Sequence, residues 1–305
     1  MHVQLRRALI GVVSVAAMCF VTAPTVSQPV RFGLFADLHA HDTDSPLEQK
    51  WMTYTEERLL AFTRAMNETT TDFVIQLGDF VNGWVILGAD PGDPYRIPDL
   101  LAWADSLYAT YVGPRYHVVG NHDVYNLDKE QICEILGLDA TYYSFDVSGF
   151  HFVVLDVQFD QEGDDLAYTY TGVYGFAPLE ELEWLRQDLA ASGDPTVVFV
   201  HQRLDGHLDA SGRTTVLNQE AIRTELAAAG NVIAVFQGHD HDNAYSELDG
   251  IHYITFEALV DQNGTPPSWA LVTLDPQSRT LSIAGEGAQA DWTLSFSSQE
   301  AKGEE

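Results

Sequence analysis

The chain has 305 residues, of which 46% are hydrophobic, enough for one large α/β domain or two small ones with a buried core. Its formal net charge is −30, with 45 acidic side chains against 15 basic ones. This charge excludes a surface that attracts nucleic-acid phosphates, and local positive charge for an anionic substrate would have to come from bound metal.

The N-terminal residues 1–27 are typical of a signal peptide. Arg6 and Arg7 form a charged start, and 8–21 is an apolar stretch that is too short to span a bilayer comfortably. Small residues follow, which indicates cleavage after Ser27 and a secreted or periplasmic protein without stable membrane insertion. An uncleaved anchor is the alternative. Loss of Cys19 with this segment would leave Cys133 without an intramolecular disulfide partner.

The rest of the chain is interpreted as one domain over 28–290 and an acidic flexible tail over 291–305. Short apolar runs alternate with helical patterns, which is typical of an α/β fold. Cys133 lies in an amphipathic stretch and is predicted to be a core residue. Strands are predicted over 30–36, 73–77, 116–119, 196–200 and 232–237, as a hairpin of 142–147 with 151–156, and near Ile251, Ala270 and Leu281. Helices are predicted over 51–67, 98–111 and 178–191, and from an N-cap at Asn218 to Gly230.

Five of the predicted strands each end directly at a polar motif. In open α/β sheets, ligands bind beyond the carboxyl ends of the strands, so these motifs are expected to converge at one edge. The turn-forming tendency of Asp, Asn, Gly and His explains one or two such motifs but not five. The motifs are Asp37-Leu38-His39, Gly78-Asp79, Gly120-Asn121-His122-Asp123, His201 and Gly238-His239-Asp240-His241.

In this order, the five motifs resemble those of the calcineurin-like metallophosphoesterases, and the resemblance spans roughly 30–287. Members of that family hydrolyse phosphate esters and anhydrides with a pair of metal ions. The resemblance implies an α/β fold in four layers, α/β/β/α, a sandwich of two mixed sheets flanked by helices. His41 gives the first motif a second similarity, to polymerase-and-histidinol-phosphatase enzymes, but the later motifs disfavour that alternative.

The resemblance also implies a role for each motif residue. One metal takes Asp37, His39, Asp79 and His241, and the other takes Asp79, Asn121, His201 and His239. Asp79 is the expected bridge, because a carboxylate offers two oxygens. This mixture of imidazole, carboxylate and amide suits Mn, Fe or Zn. His122 is expected to protonate the leaving oxygen.

Three positions depart from the family pattern. Asn82 stands where the family often has an aspartate that supports the catalytic histidine, a role that Asp123 is the candidate to fill. Val200 precedes His201 in place of glycine or serine, and Arg203 stands where a proline is usual. Arg203, Tyr125 and His207 are predicted substrate contacts, although Arg203 could instead form a surface ion pair.

Within the family, three blocks of sequence resemble those of the manganese-dependent ADP-ribose/CDP-alcohol diphosphatases. They are 142–145 with 149–156, 175–185, and 238–253. One departure is His39, where the eukaryotic members tend to carry glutamine. The expected protein is therefore an exported phosphoesterase acting on a small-molecule ester or nucleotide, with its oligomeric state left open. A broad phosphomonoesterase and a non-catalytic scaffold are the alternatives.

Overall fold

The computed structural model describes residues 28–45, 49–83, 96–166, 174–209, 212–261 and 266–297. The predicted signal peptide lies outside the described residues. So do Trp84, Tyr168 and Tyr170, aromatic residues that the sequence offers as stacking partners for a base or a hydrophobic alcohol. None of the described helices combines the length and the apolar character that crossing a bilayer requires. The strands are β1 (Val30–Phe35), β2 (Phe73–Gln76), β3 (Arg115–His117), β4 (Tyr143–Val147), β5 (Phe150–Val154), β6 (Thr196–Phe199), β7 (Val232–Gln237), β8 (Ala244–Leu248), β9 (Ile251–Thr255), β10 (Trp269–Asp275), β11 (Thr280–Glu286) and β12 (Trp292–Ser295). The helices are α1 (Thr55–Thr69), α2 (Ile97–Tyr108), α3 (Lys129–Leu136), α4 (Leu179–Ala191) and α5 (Gln219–Ala229).

These strands form two mixed sheets. The first has the order β12-β11-β10-β1-β2-β3, and the second has the order β4-β5-β6-β7-β9-β8. The strands that precede the polar motifs are parallel within each sheet: β1, β2 and β3 in the first, and β6 with β7 in the second. The antiparallel strands β10, β11 and β12 continue the first sheet beyond β1, and the antiparallel strands β4 and β8 form the two edges of the second. The carboxyl ends of the central strands therefore point to one edge of each sheet.

Three hydrophobic clusters separate the fold into four layers. Aromatic side chains from both sheets fill the space between them, with Phe32 stacked on Phe73 at 4.6 Å and edge-on to Phe152 and Phe199. Burying one such ring stabilises the fold by roughly 1.5–3 kcal/mol. The outer face of the first sheet packs against α1, α2 and α3, and that of the second against α4 and α5. The expected α/β/β/α sandwich is confirmed.

Three elements were not predicted from the sequence, and one of them moves a domain boundary. These are α3, β8 and β12. The predicted tail at 291 begins too early, because β12 pairs with β11 and Phe296 is buried against the inner core. Trp292 also packs on Tyr245 of the second sheet, at 5.0 Å between ring centroids. The sandwich therefore continues to at least Phe296.

Two local predictions were wrong. Cys133 lies on α3 and is only half-buried, because the helix is exposed on that side. Asn218 immediately precedes α5 but its side chain does not cap the helix. It instead pairs with both backbone groups of Ala177, accepting from the N–H at 3.0 Å and donating to the carbonyl at 2.7 Å. Asn218 therefore ties the start of α5 to the segment before α4.

Candidate metal centre

The ends of β1, β2, β3, β6 and β7 meet at one edge of the sandwich, and backbone hydrogen bonds fix their spacing. Asp37 N–H donates to the carbonyl of Gly78, and His39 N–H donates to that of Asp79. Across the sandwich, the backbone N–H of His239 donates to Oδ2 of Asp37 at 3.0 Å. The two sheets are thus joined at the point where the polar motifs begin.

The backbone turns sharply at five of the predicted ligands. Asp37, His39, Asp79, His239 and His241 all have φ between 49° and 72°, in the left-handed region that non-glycine residues avoid. Such conformations persist only where the surrounding structure fixes them, and they cluster at functional sites. Here each turn directs a side chain from a strand end into the common space.

Two glycines allow the motifs to approach one another. A Cβ at Gly120 would lie 2.2 Å from both the backbone nitrogen and Oδ1 of Asp79. A Cβ at Gly238 would lie 2.6 Å from Oδ2 of Asp37. Both contacts are impossible for a carbon atom, so any larger residue at either position would separate the metal-binding groups.

Asp37, His39 and His241 form the first group that could hold a metal ion. Oδ1 of Asp37 lies 3.4 Å from Nε2 of His241, and the Nε2 atoms of the two histidines are 3.2 Å apart. Oδ1 is buried and has no hydrogen-bond partner. A buried carboxylate oxygen is costly in that state, and a metal ion among these three atoms would satisfy it.

Asp79, His201 and His239 form a second group. Nε2 of His201 lies 3.3 Å from Oδ2 of Asp79, 3.2 Å from Nδ1 of His239 and 3.1 Å from Oδ1 of Asn121. The donors are therefore those that Mn, Fe and Zn accept. The seven predicted ligands thus lie at one strand edge, where His39, Asp79 and His122 form a further group that could hold a metal ion.

Asp79 lies between the two groups, but a single oxygen of its carboxylate faces both of them. Its Oδ2 faces His201 at 3.3 Å and His39 at 3.6 Å, whereas Oδ1 accepts from the backbone N–H of His122 at 2.7 Å. One oxygen is therefore shared by both groups, because the other is held by the following motif.

The carboxylates favour positive charge at two of the four histidine ligands, whereas burial lowers the pKa of His39 and His239. Burial lowers the pKa of His201, but Asp79 and Asp37 outweigh it and raise that pKa to about 9. Burial also lowers the pKa of His241, but Asp37 and Asp261 outweigh that effect and raise the pKa to about 10. The negative potential that favours an imidazolium here would favour a divalent cation as well.

Three imidazole rings are oriented by partners on their other nitrogen. Nδ1 of His201 donates to the carbonyl of Leu77 at 2.8 Å, and Nδ1 of His241 lies 3.1 Å from both carboxylate oxygens of Asp261. Such partners turn the remaining nitrogen toward the metal and raise its basicity. Asp261 was not predicted, because it follows no motif and reaches His241 only through the fold.

The third ring corrects the expected role of Asn82. Its Oδ1 lies 3.0 Å from Nδ1 of His39, so Asn82 orients His39 and does not support His122. Asp123 does not support His122 either, because its two oxygens accept from the backbone N–H groups of Val81 and Gly120. Both side chains hold the motifs in place.

His122 lies beside both groups of ligands. Its ring is 4.5 Å from that of His39 and 4.9 Å from that of Tyr125, measured between centroids. Its Nε2 lies 3.4 Å from Nζ of Lys50, a buried lysine that the sequence analysis did not single out. Burial, and next the charge of Lys50, lower the pKa of His122 well below its ordinary value.

The three predicted substrate contacts have other partners. The hydroxyl of Tyr125 accepts from Nδ2 of Asn121 at 3.0 Å. Arg203 lies between Asp205 and Asp240, at 2.5 and 3.1 Å, and Nε2 of the half-exposed His207 is 3.5 Å from Asp240. Arg203 thus braces the loop that carries the two last histidine ligands.

His41 stands apart from the metal-binding side chains. Its Nδ1 accepts from the backbone N–H of Thr43 and faces Asp42, and it belongs to none of the groups found among the described residues. This arrangement gives no support to the alternative suggested by its sequence.

A model of the calcineurin-like phosphoesterase family matches residues 30–243. The chain belongs to this family. A dimetal phosphatase from Danio rerio has the same fold, with a TM-score of 0.71 and 20% identity over 88% of this chain and 99% of that one. Family membership and the ligand groups make the chain a metal-dependent hydrolase of phosphate esters or anhydrides with a dinuclear centre.

Curated relatives cover most of the chain. A manganese-dependent ADP-ribose/CDP-alcohol diphosphatase from Xenopus laevis is 24% identical over 87% of this chain and 90% of its own length. The protein of that name from Arabidopsis thaliana is 25% identical over 85% of this chain and 94% of its own length. The sequence resemblance to this branch is thereby confirmed.

Proposed function

We propose that the chain is an exported dinuclear phosphoesterase that cleaves the phosphoanhydride bond of nucleotide diphosphate compounds such as ADP-ribose or CDP-alcohols. The observation that carries the proposal is two metal-binding groups at one strand edge, with Oδ2 of Asp79 facing His39 of one group and His201 of the other. The similarity to curated diphosphatases over most of the chain supports the substrate class. The acidic surface disfavours nucleic acid as a substrate.

The residues of the centre have separable tasks in this reaction. When bound, two divalent ions lower the pKa of an attacking water and neutralise the charge that develops on the phosphoryl oxygens. Asp79 holds the two ligand groups at a fixed separation, and His122 carries the proton at Nε2 that the leaving oxygen receives. In the net reaction, the hydroxyl of water joins phosphorus. The P–O bond to the leaving group breaks, and the leaving oxygen keeps the electron pair and gains a proton.

A substrate panel tests this function. The mature protein, reconstituted with Mn²⁺, is assayed on ADP-ribose, CDP-choline, p-nitrophenyl phosphate and bis(p-nitrophenyl) phosphate. We expect kcat/KM for the two diphosphates to exceed that for p-nitrophenyl phosphate by roughly 10²-fold or more, because binding groups for the second phosphate are left unused by a monoester. A reversed ranking would refute the proposed substrate class.

A phosphomonoesterase is the second candidate, and one relative favours it. A protein from Danio rerio named serine/threonine-protein phosphatase CPPED1 is 30% identical over 204 residues, which is 63% of this chain. A phosphoserine peptide added to the substrate panel distinguishes the diphosphatase from the phosphomonoesterase. Turnover of that peptide above that of ADP-ribose would favour the second candidate.

Export is proposed from the sequence of residues 1–27, with its arginines, apolar stretch and small residues before Gln28. Expression with the native N-terminus, followed by mass spectrometry of the protein in the medium or periplasm, tests it. A mature N-terminus at Gln28 is expected. Intact protein retained in the cell would contradict it.

A further inference from the structure

Two fully buried glutamines near the metal centre pair with each other through their side-chain amides. Gln158 follows β5, and Gln202 comes directly after His201 at the end of β6. Nε2 of Gln158 donates to Oε1 of Gln202 at 2.7 Å, and Nε2 of Gln202 donates to Oε1 of Gln158 at 3.2 Å. Each amide therefore gives the other both a donor and an acceptor, and this contact is called the amide pair below.

The amide pair also reaches the first sheet. Nε2 of Gln158 donates to the backbone carbonyl of Val119 at 3.2 Å. Val119 lies directly before Gly120 and Asn121, in the motif that follows β3. One connected set of hydrogen bonds therefore joins the ends of β5 and β6 in the second sheet to the end of β3 in the first.

This junction lies next to two predicted metal ligands that come from different sheets. Asn121 is two residues after the carbonyl that Gln158 holds, and His201 immediately precedes Gln202. Their ligand atoms, Oδ1 of Asn121 and Nε2 of His201, are 3.1 Å apart. Ligand groups have to be held within roughly 0.5 Å of the productive geometry by neighbours that are themselves fixed. For this pair of ligands, such neighbours have to connect the two sheets.

Gln158 is itself held on both sides of its backbone. Its N–H donates to Oδ1 of Asp156 at 2.8 Å, and its carbonyl accepts from the N–H of Leu166 at 3.1 Å. Asp156 is fully buried, and its Oδ2 lies 2.7 Å from Nζ of Lys129, the first residue of α3. Because Gln158 is anchored in this way, its amide fixes the position of the Val119 carbonyl.

We propose that the amide pair of Gln158 and Gln202 positions Asn121 against His201 and thereby sets the metal affinity of the second group, that of Asp79, His201 and His239. The two glutamines are positioning residues, because they act through the backbone beside the ligands. The inference goes beyond the proposed function and holds for any phosphate substrate, since metal affinity is measured without one.

The test measures Mn²⁺ binding by one group at a time. His241→Ala removes a ligand of the first group and leaves the second intact, whereas His239→Ala does the reverse. In the His241→Ala background, we expect Gln158→Met to raise the Kd of Mn²⁺ roughly 10-fold or more, the usual effect of losing a partner that orients metal ligands. In the His239→Ala background the Kd should be unchanged. Isothermal calorimetry without substrate measures both.

A double variant distinguishes positioning from packing. Gln158→Met alone leaves the buried amide of Gln202 without its partner, whereas Gln158→Met combined with Gln202→Met removes both amides. We therefore expect Tm to fall in the single variant and to recover in part in the double variant. The Kd of the second group should stay raised in both, because methionine has no donor for the Val119 carbonyl. A Kd that recovers together with Tm would overturn the proposal.

Asn231→Leu is the control for a general loss of stability. Nδ2 of Asn231 donates to the carbonyls of Ser192 and Asp194 at 3.1 and 3.0 Å, at the start of β7 and thus at the opposite end of that strand from the metal ligands. This variant should lower Tm without changing the Kd of either group.

Two further results with Gln158→Met would overturn the proposal. One is an unchanged Kd for the second group, and the other is an equal rise in Kd for both groups. If Gln158→Met does not fold, the double variant decides by the same comparison. The proposed function fails separately, since the ranking of substrates by the wild type tests it and Mn²⁺ binding does not.

Discussion

At the scale of single residues, the centre combines groups that are costly to bury. Asp37 and Asp79 are almost fully buried, and both lie in left-handed backbone together with three histidines. Buried carboxylates and strained conformations each destabilise a fold unless something compensates. In this chain mutual contacts supply part of the compensation and a bound cation would supply the rest, so the strain lies where function requires the side chains to converge.

The role of His122 leads to a prediction about leaving groups. We expect His122→Ala to lose roughly 10²–10⁴-fold in rate while keeping both metals, because the variant lacks the proton donor. The loss should be smaller for a nitrophenyl phosphate than for an alkyl phosphate, since a good leaving group needs little protonation. Steady-state rates on both esters, with metal analysis, measure this. Equal losses on both esters with full metal content would remove the acid role.

The shared oxygen of Asp79 leads to a second prediction. Asp79→Asn replaces the anionic oxygen that faces both His39 and His201 with a neutral amide group. We expect it to lose at least one metal and most activity. Elemental analysis and kcat measure the two effects. Asp99→Asn, which makes the same change on the exposed surface of α2, is the matched control. Two tightly bound metals and near-normal turnover in Asp79→Asn would contradict the assignment.

The sequence reveals functional residues that lie in a local motif but not those that reach the centre only through the fold. The seven predicted ligands follow apolar strands directly, so their motifs reveal them one by one. Asp261 and Lys50 have no such pattern, because their contacts with His241 and His122 exist only after the sheets and loops assemble. Asn82 was assigned to the wrong histidine for the same reason.

At the scale of elements, the sequence predicts the strands that are buried on both sides and misses two partly exposed strands at the sheet edges. The runs that became β2, β6 and β7 are continuously apolar and fully buried. In contrast, β8 and β12 have mixed, partly exposed patterns and acquire their pairing from neighbours in the sheet. Their sequences alone did not distinguish them from loops.

His151 of β5 contacts both β4 and α4, and its ionisation is expected to make the stability of the fold depend on pH. It lies opposite Asp146 in the β4–β5 hairpin and contacts Asp188 of α4, with nitrogen–oxygen distances of 2.7 and 2.8 Å. The hydrogen bond to Asp188, and after it Asp146, raise the pKa of His151 against the effect of burial. Since the folded pKa is above the unfolded one, the stabilisation is complete below about pH 6.5 and disappears as the pH rises through the folded value.

We therefore expect His151→Gln to lower the free energy of unfolding more at pH 6 than at pH 9. Urea unfolding of both proteins at the two pH values measures the difference. Ser144→Ala, which removes a hydrogen bond to the same Asp188 without a titrating group, should show a penalty with little pH dependence. A constant penalty for His151→Gln would mean that the histidine acts by packing alone.

At the scale of the whole molecule, the centre joins the two sheets where they would otherwise separate. Its ligands come from β1, β2 and β3 on one side and from β6 and β7 on the other. Backbone bonds from Leu259 to Ala36 and from Val260 to Asp37 cross the same edge. The net charge of −30 acts against this closure, since like charges repel in the compact state.

Metal binding is therefore expected to stabilise the entire sandwich. An ion that binds only the folded chain adds about 2.7 kcal/mol at a concentration 100 times its Kd. Each kcal/mol shifts Tm by roughly 2–4 °C in a domain of this size, so chelation by EDTA should lower Tm by roughly 5–10 °C. Thermal unfolding of the Mn²⁺-loaded and chelated protein measures the shift. The decrease should be much smaller in Asp79→Asn, which begins with less metal, whereas a wild-type Tm unaffected by EDTA would show that the two sheets hold together without the centre.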